Sequence, residues 1–136
     1  MKLNLLVNID VPDLALAEKF YVAAFNLKVG RRLGEGFVEL LGLDAPIYLM
    51  ETKEGSVPFP NGKTSRTYAR HWCPVHFDLT VPNLEEATKR AIAAGAKIET
   101  GPRQTPYGKI STFSDPFGHG FCLIEFQGRG YDEIAE

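Results

Sequence analysis

The chain contains an internal repeat that strongly limits its possible folds. When the sequence is shifted by 70 positions, residues 11–24 (VPDLALAEKFYVAA) align with residues 81–94 (VPNLEEATKRAIAA), and seven of these fourteen positions are identical. This spacing is longer than the unit of a solenoid array. The repeat therefore predicts two copies of one supersecondary module.

Each copy carries the pattern of a strand, a helix and three further strands. Alternating apolar residues predict opening strands over 3–11 and 75–81. Asp13 and Asn83 follow these strands and can accept hydrogen bonds from the free amides of a helix start. The shorter strands that follow each helix are predicted at 27–33, 36–41 and 46–51, and at 97–100, 109–114 and 120–126. The predicted class is α+β, with two tandem βαβββ modules that form a curved mixed sheet around a cleft.

The length of 136 residues suits one domain, and the chain is predicted to form a single domain over 1–136. Within it, module 1 is expected at 1–52 and module 2 at 74–127, followed by a tail at 128–136. The segment 53–73 carries Gly, Pro and Asn without a clean period, so it is predicted to be a linker or a lid.

Composition excludes several classes of partner. The formal net charge of −2 gives no electrostatic reason for binding to nucleic acid or to an anionic membrane. No apolar run approaches the roughly 20 residues of a spanning helix, and the apolar start is too short for a signal peptide. A cytoplasmic protein with reduced thiols is therefore expected. Cys73 and Cys122 fit no spaced metal or redox pattern and are predicted to pack as small hydrophobic residues.

Strand alternation predicts which side chains face the cleft. In the opening strands the predicted cleft residues are Leu6, Asn8, Asp10, His76, Asp78 and Thr80. In the last strand, Cys122 lies on the side opposite to Phe121. The Cβ atoms of residues i and i+2 in a strand are about 6.5–7 Å apart. We therefore expect His76 and Asp78 to be too far apart to form a tight pair.

Four segments together resemble the vicinal oxygen chelate superfamily, which includes glyoxalase I, extradiol dioxygenases, fosfomycin-resistance enzymes and bleomycin-binding proteins. The segments are NIDVPDLALAEKFY (8–21), HFDLTVPNLEEA (76–87), GAKIETGPRQTPYG (95–108) and SDPFGHGFCLIEF (114–126). The resemblance covers nearly the whole chain. It implies the glyoxalase/bleomycin resistance/dioxygenase fold and a homodimer.

The resemblance also implies four metal-ligand positions, one on the opening strand and one on the last strand of each module. In this sequence they are Leu6, Tyr48, His76 and Cys122. Leu6 offers no donor and a neutral Tyr is a poor ligand, so no metal or other cofactor is predicted. The alternative is a divalent metal (zinc, nickel, manganese or iron) bound by His76 and Cys122, with His119 or Asp78 as a third ligand. Under a shifted register Glu51 replaces Tyr48.

The predicted function is binding of a small organic molecule in the cleft, without a metal. The predicted ligand-binding residues are Leu6, Asn8, Asp10, Tyr48, Asp78, Thr80, Tyr107 and Cys122, and His76 is the candidate catalytic residue. Arg103 is either a contact for an anionic ligand or a surface residue, and His71 and Trp72 either form part of a lid or close the edge of the core. Two alternatives make the chain an enzyme. One is a metal-dependent glyoxalase-like lyase or isomerase with unusual ligands, or a relative of the dioxygenases. The other is a metal-free acid/base enzyme that uses His76.

Overall fold

Each copy of the repeat folds into a strand, a helix and three further strands in the computed structural model, which describes residues 1–136. The chain divides into unit 1, Met1–Ala69, and unit 2, Arg70–Glu136. The α+β class and the two βαβββ modules are confirmed. The assignment of the whole chain to one domain stays a prediction.

Unit 1 contains one helix and a four-stranded mixed sheet in the order β1-β4-β3-β2. Strands β1 and β4 pair in parallel, and the other pairs are antiparallel. The elements are β1 (Val7–Val11), α1 (Leu14–Phe25), β2 (Lys28–Arg32), β3 (Phe37–Leu41) and β4 (Ile47–Glu51).

Unit 2 repeats this arrangement in the order β5-β8-β7-β6, again with one parallel pair, β5 with β8. A short 3-10 helix, Gly130–Glu133, follows the last strand. The elements are β5 (Phe77–Thr80), α2 (Leu84–Ala94), β6 (Lys97–Thr105), β7 (Gly108–Ser114) and β8 (Gly120–Phe126).

The two helices begin in the same way. Asp13 precedes α1 with φ −144° and ψ 111°, and Asn83 precedes α2 with φ −145° and ψ 109°. Each side chain accepts a hydrogen bond from the amide three residues later, at 2.9 Å from Leu16 and 3.0 Å from Glu86. The predicted caps are confirmed, and they satisfy amides that the helix itself leaves without a partner.

The core of each unit lies between its sheet and its helix. Helix α1 buries residues that recur at helical spacing, and they pack against the buried faces of β3 and β4. Ala87 and Ala91 do the same for α2, which packs against β7 and β8. Neither helix has the length and apolar content that a membrane crossing requires. Each sheet therefore has one face covered by its helix and a second face that is available for other contacts.

Three predicted boundaries differ from the structure. The opening strands are shorter than predicted, so Leu6 and His76 each lie just before their strand. Strand β6 is longer than the predicted 97–100 and continues to Thr105. The extension was not predicted because it contains Gly101 and Pro102, and both residue types are uncommon inside a continuous strand.

Candidate functional site

Unit 2 contains a cavity of about 480 Å³ on the sheet face that α2 does not cover. Its floor is formed by side chains of β7 and β8, among them Ile110 and the buried Cys122. Its wall comes from the segment that precedes β5, where Trp72 is 81% exposed. This volume lies within the range of about 300–1,000 Å³ that small-molecule sites occupy.

His76 and Asp78 form a close pair in this cavity. The Nε2 atom of His76 lies 3.2 Å from the Oδ1 atom of Asp78, and both side chains are partly exposed. The expectation that the two residues are too far apart was therefore wrong. The Cβ separation limits only the start of each side chain, and the long imidazole side chain extends toward the carboxylate.

Cys122 faces the same cavity from β8, where it is paired in register with Asp78 on β5. Burial raises the pKa of its thiol to about 11, and the neighbouring carboxylate of Asp78 adds to this rise. The nearby charge of Arg103 acts in the opposite direction. Cys122 is therefore a protonated thiol near neutral pH.

A second ion pair forms one side of the cavity. The guanidinium of Arg70 donates to both carboxylate oxygens of Glu99, at 2.8 and 2.9 Å. These bonds lower the pKa of Glu99. Arg70 lies directly over Gly120, where an added Cβ would come within 2.7 Å of its Nη2 atom. A glycine at the start of β8 thus gives this guanidinium its place in the cavity.

The equivalent face of unit 1 is occupied by the chain's own side chains. The Tyr48 hydroxyl donates to Glu39 at 2.7 Å, and Arg31 donates to the same carboxylate at 2.6 and 3.0 Å. These hydrogen bonds, those of Arg31 first, lower the pKa of the buried Glu39 to about 2. Asp10 accepts a 2.8 Å bond from Arg66. Tyr48 and Asp10, which were predicted to bind the ligand, are therefore already hydrogen-bonded to other side chains of the chain.

The other predicted site residues are distributed between the two units. Leu6 is 54% exposed before β1, and Asn8 is exposed on that strand. Thr80 is exposed at the end of β5 and does not line the cavity. Tyr107 packs beside the cavity floor against Ile110, Cys122 and Ile124. The structure thus brings His76, Asp78 and Cys122 together in the cavity, and Tyr107 packs against Cys122. A cleft shared by the two modules stays a prediction.

The donors at the four family positions do not fit a metal site. Leu6 has no donor atom, and the Tyr48 hydroxyl is bound to Glu39 and Arg31. Unit 2 alone offers a different set, since donor atoms of His76, Asp78 and Cys122 all lie within 4.8 Å of one another.

His119 and Glu51, the other sequence candidates for a metal ligand, have structural partners instead. His119 bonds through Nδ1 to Asp115 at 2.7 Å, and Glu51 accepts from the amide of Leu14 at 2.8 Å.

Sequence reasoning missed Arg70, Glu99 and Thr112 as cavity residues, and it left Arg103 open. Thr112 could have been found, because alternation along 109–114 places it on the face opposite to the buried Ser111 and Phe113. Arg70 carries no such signal, because it lies in a segment without periodic structure.

Comparison with known proteins supports the family resemblance. Residues 6–124 match the family model of the glyoxalase-like domain. An uncharacterized protein of Mycobacterium bovis is 29% identical over 127 residues, which cover 83% of this chain and 76% of that protein. The anthracycline biosynthesis protein DnrV of Streptomyces peucetius is 31% identical over 65 residues, and this match spans 48% of the chain but only 22% of DnrV.

Solved structures support the fold. The crystal structure of the fosfomycin resistance protein FosX from Listeria monocytogenes superposes with a TM-score of 0.72, covering 99% of both chains at 20% identity. At this identity the likeness concerns the fold alone. The resemblance to the vicinal oxygen chelate superfamily is confirmed.

Proposed function

Because the chain belongs to the glyoxalase-like domain family, we propose that it binds a small organic molecule in the cavity of unit 2, without a metal ion. The observation that supports this most strongly is the cavity itself, which aromatic and aliphatic side chains line together with several charged and polar groups. In small-molecule sites the apolar surface contributes affinity and the polar groups fix the orientation of the ligand.

Trp72 provides a direct test, because it is the single tryptophan of the chain and lines the cavity. A library of small organic compounds is titrated against the protein, and Trp72 fluorescence and backbone amide shifts are recorded. Binding in the cavity is expected to change the fluorescence and to shift amides of β5, β7 and β8.

Thr112→Phe is designed to fill the cavity and to abolish these changes, and Val57→Phe, on an exposed site of unit 1, is the control. A folded Thr112→Phe protein that still binds the same compounds with wild-type affinity contradicts the proposal.

A metal-free acid/base activity is the second candidate, and the 3.2 Å contact between His76 and Asp78 favours it. A carboxylate this close to an imidazole can help to position the ring, and the ring can accept a proton from a bound ligand or donate one to it. Deuterium incorporation into a carbon-bound position of the ligand in D₂O is the readout. Incorporation that is unchanged in His76→Ala rules out this role.

A divalent metal held by His76, Asp78 and Cys122 is the third candidate, favoured by their mutual distances of at most 4.8 Å. The raised pKa of the Cys122 thiol disfavours this candidate, because a thiol must lose its proton to bind a metal.

We also propose a homodimer, as the family resemblance implies. β1 and β5 each form an edge of their own sheet, and an exposed edge can pair with a further strand. Light scattering after size-exclusion chromatography measures the mass, and a monomer at micromolar concentration contradicts the proposal.

A further inference from the structure

A register shift in β6 determines the direction of the Arg103 side chain. Thr100 pairs with Thr112 and Arg103 pairs with Ile110, so three steps along β6 correspond to two steps along β7. In a regular strand, residues three apart point to opposite faces. The extra residue of the bulge instead places Thr100 and Arg103 on the same face.

This face is the one that carries the cavity. The Oγ1 atoms of Thr100 and Thr112 lie 2.5 Å apart, and Thr112 and Arg103 both line the cavity. The bulge therefore directs a guanidinium toward the site, whereas a regular strand would direct it toward the helix side.

Gly101 makes this bulge possible. Its φ is +103°, and an added Cβ would lie 2.8 Å from the carbonyl oxygen of Ile110 and 2.9 Å from the Cα of Ser111. Only a residue without a side chain fits between the two strands here.

Arg103 is the cavity cation that has no partner within the protein. Arg70 is bound by Glu99, and Asp78 lies beside His76. The Arg103 side chain makes no hydrogen bond or ion pair with any residue, although its charge acts on the Cys122 thiol at the cavity floor. Asp78 lies next to the same thiol, so a cation and a carboxylate both adjoin the apolar floor.

We infer that the cavity binds an organic carboxylate, whose charged group pairs with Arg103 and whose hydroxyl or amino group donates to Asp78. The inference rests on the proposed binding function and specifies its ligand class. The planar guanidinium offers two parallel N–H donors that match a carboxylate. One unpaired guanidinium offsets a single negative charge, and the apolar floor accommodates the hydrocarbon part of the ligand.

The test uses 2-hydroxy-2-phenylacetate (mandelate) and its neutral amide as matched probes. Dissociation constants are measured by Trp72 fluorescence and by amide shifts of cavity residues. Mandelate is expected to bind at least about tenfold more tightly than the amide, since a charge-assisted hydrogen bond is stronger than a neutral one. Phenylacetate lacks the hydroxyl donor and is expected to bind more weakly than mandelate.

Substitutions of Arg103 test whether this residue causes the preference for the acid over the amide. Arg103→Ala is expected to weaken mandelate binding about tenfold or more and to leave amide binding unchanged, while Arg103→Lys retains part of the preference. Lys109→Ala is the matched control, because Lys109 is an exposed cation on β7 whose position alternates with Ile110 and so faces away from the cavity. A folded Gly101→Ala variant is expected to lose the preference for the acid in the same way as Arg103→Ala. The Arg103 variants test the inference even where Gly101→Ala does not fold.

The outcomes separate the inference from the proposed function. Equal binding of acid and amide in the cavity, unaffected by Arg103→Ala, overturns the inference and leaves small-molecule binding in place. If neither these probes nor any compound of the library perturbs the cavity residues, the proposed function fails and the inference fails with it.

Discussion

The Oε2 atom of Glu125 accepts a 2.8 Å hydrogen bond from the backbone amide of Leu84, the first residue of α2. Glu51 makes the same bond, also at 2.8 Å, to Leu14 at the start of α1. In each unit the last strand is thereby tied to the helix by a carboxylate. The negative charge lies at the positive end of the helix dipole, where it is stabilising.

Glu125→Ala is expected to lower the free energy of unfolding by about 1–2 kcal/mol, because the variant loses a charge-assisted helix cap. Glu51→Ala is expected to have a similar effect in unit 1. Urea denaturation followed by circular dichroism measures both. Glu54→Ala, which removes an exposed carboxylate, is the control and should change stability by less than about 0.5 kcal/mol. Equal stabilities for Glu125→Ala and this control would show that the bond contributes nothing.

Ionised Glu39 stabilises the folded protein, and this contribution decreases at acid pH. Its pKa is lowered from 4.5 to about 2 by the hydrogen bonds of Arg31 and then Tyr48. A carboxyl group whose pKa is lower in the folded state stabilises the fold above its unfolded pKa. This stabilisation is lost as the pH falls from about 4.5 through about 2.

Glu39→Gln is therefore expected to lose less stability than the wild type between pH 5 and pH 2, although it is less stable at pH 7. Thermal unfolding midpoints across this pH range measure the difference. Tyr48→Phe keeps the carboxylate and removes one donor, so it should show an intermediate slope. Parallel pH profiles for wild type and Glu39→Gln contradict the prediction.

The repeat was sufficient to predict the order of the elements and much of the register. The family positions assigned Tyr48 and Cys122 to equivalent places on the last strands of the two modules. The structure confirms this, since Asn8 pairs with Tyr48 as Asp78 pairs with Cys122. This succeeded because strand alternation and helix capping act over a few residues and repeat in both copies.

The parts of the site that sequence reasoning could not predict depend on longer-range geometry. The helix-capping roles of Glu51 and Glu125 require the strand end to lie beside the helix start, 37 and 41 residues away along the chain. The direction of Arg103 depends on a bulge, which reverses simple alternation without a distinctive pattern. The contact between His76 and Asp78 depends on side-chain rotamers, which Cβ spacing does not determine.

Protein purified without chelators is expected to contain no stoichiometric zinc. The donors of His76, Asp78 and Cys122 are close together, but the thiol pKa of about 11 exceeds the ordinary value of 9.0. Thiolate formation is therefore about a hundredfold less favourable than for an ordinary thiol, since two pKa units correspond to that ratio. Plasma emission spectrometry measures the metal content. One ion per chain that disappears in His76→Ala contradicts both this prediction and the proposed metal-free function.

The two cysteines are expected to differ strongly in reactivity. Cys73 is exposed, whereas Cys122 is buried and its thiol pKa is raised to about 11 by burial first and by Asp78 second. Because the thiolate is the nucleophile, iodoacetamide at about pH 8 should alkylate Cys73 quickly and Cys122 slowly.

The slow thiol is isolated in the Cys73→Ser variant. Its alkylation rate should rise about tenfold per pH unit between pH 8 and pH 10, because the thiolate fraction grows in that proportion below the pKa.

Adding Asp78→Asn removes a neighbouring negative charge, lowers the pKa of Cys122 and should raise the rate at pH 9. Asp132→Asn, an exposed site in the 3-10 helix, is the control for the change of net charge. Mass spectrometry of timed samples gives the rates. A rate for Cys122 that reaches a plateau near pH 9 would mean that neither burial nor Asp78 suppresses its ionisation.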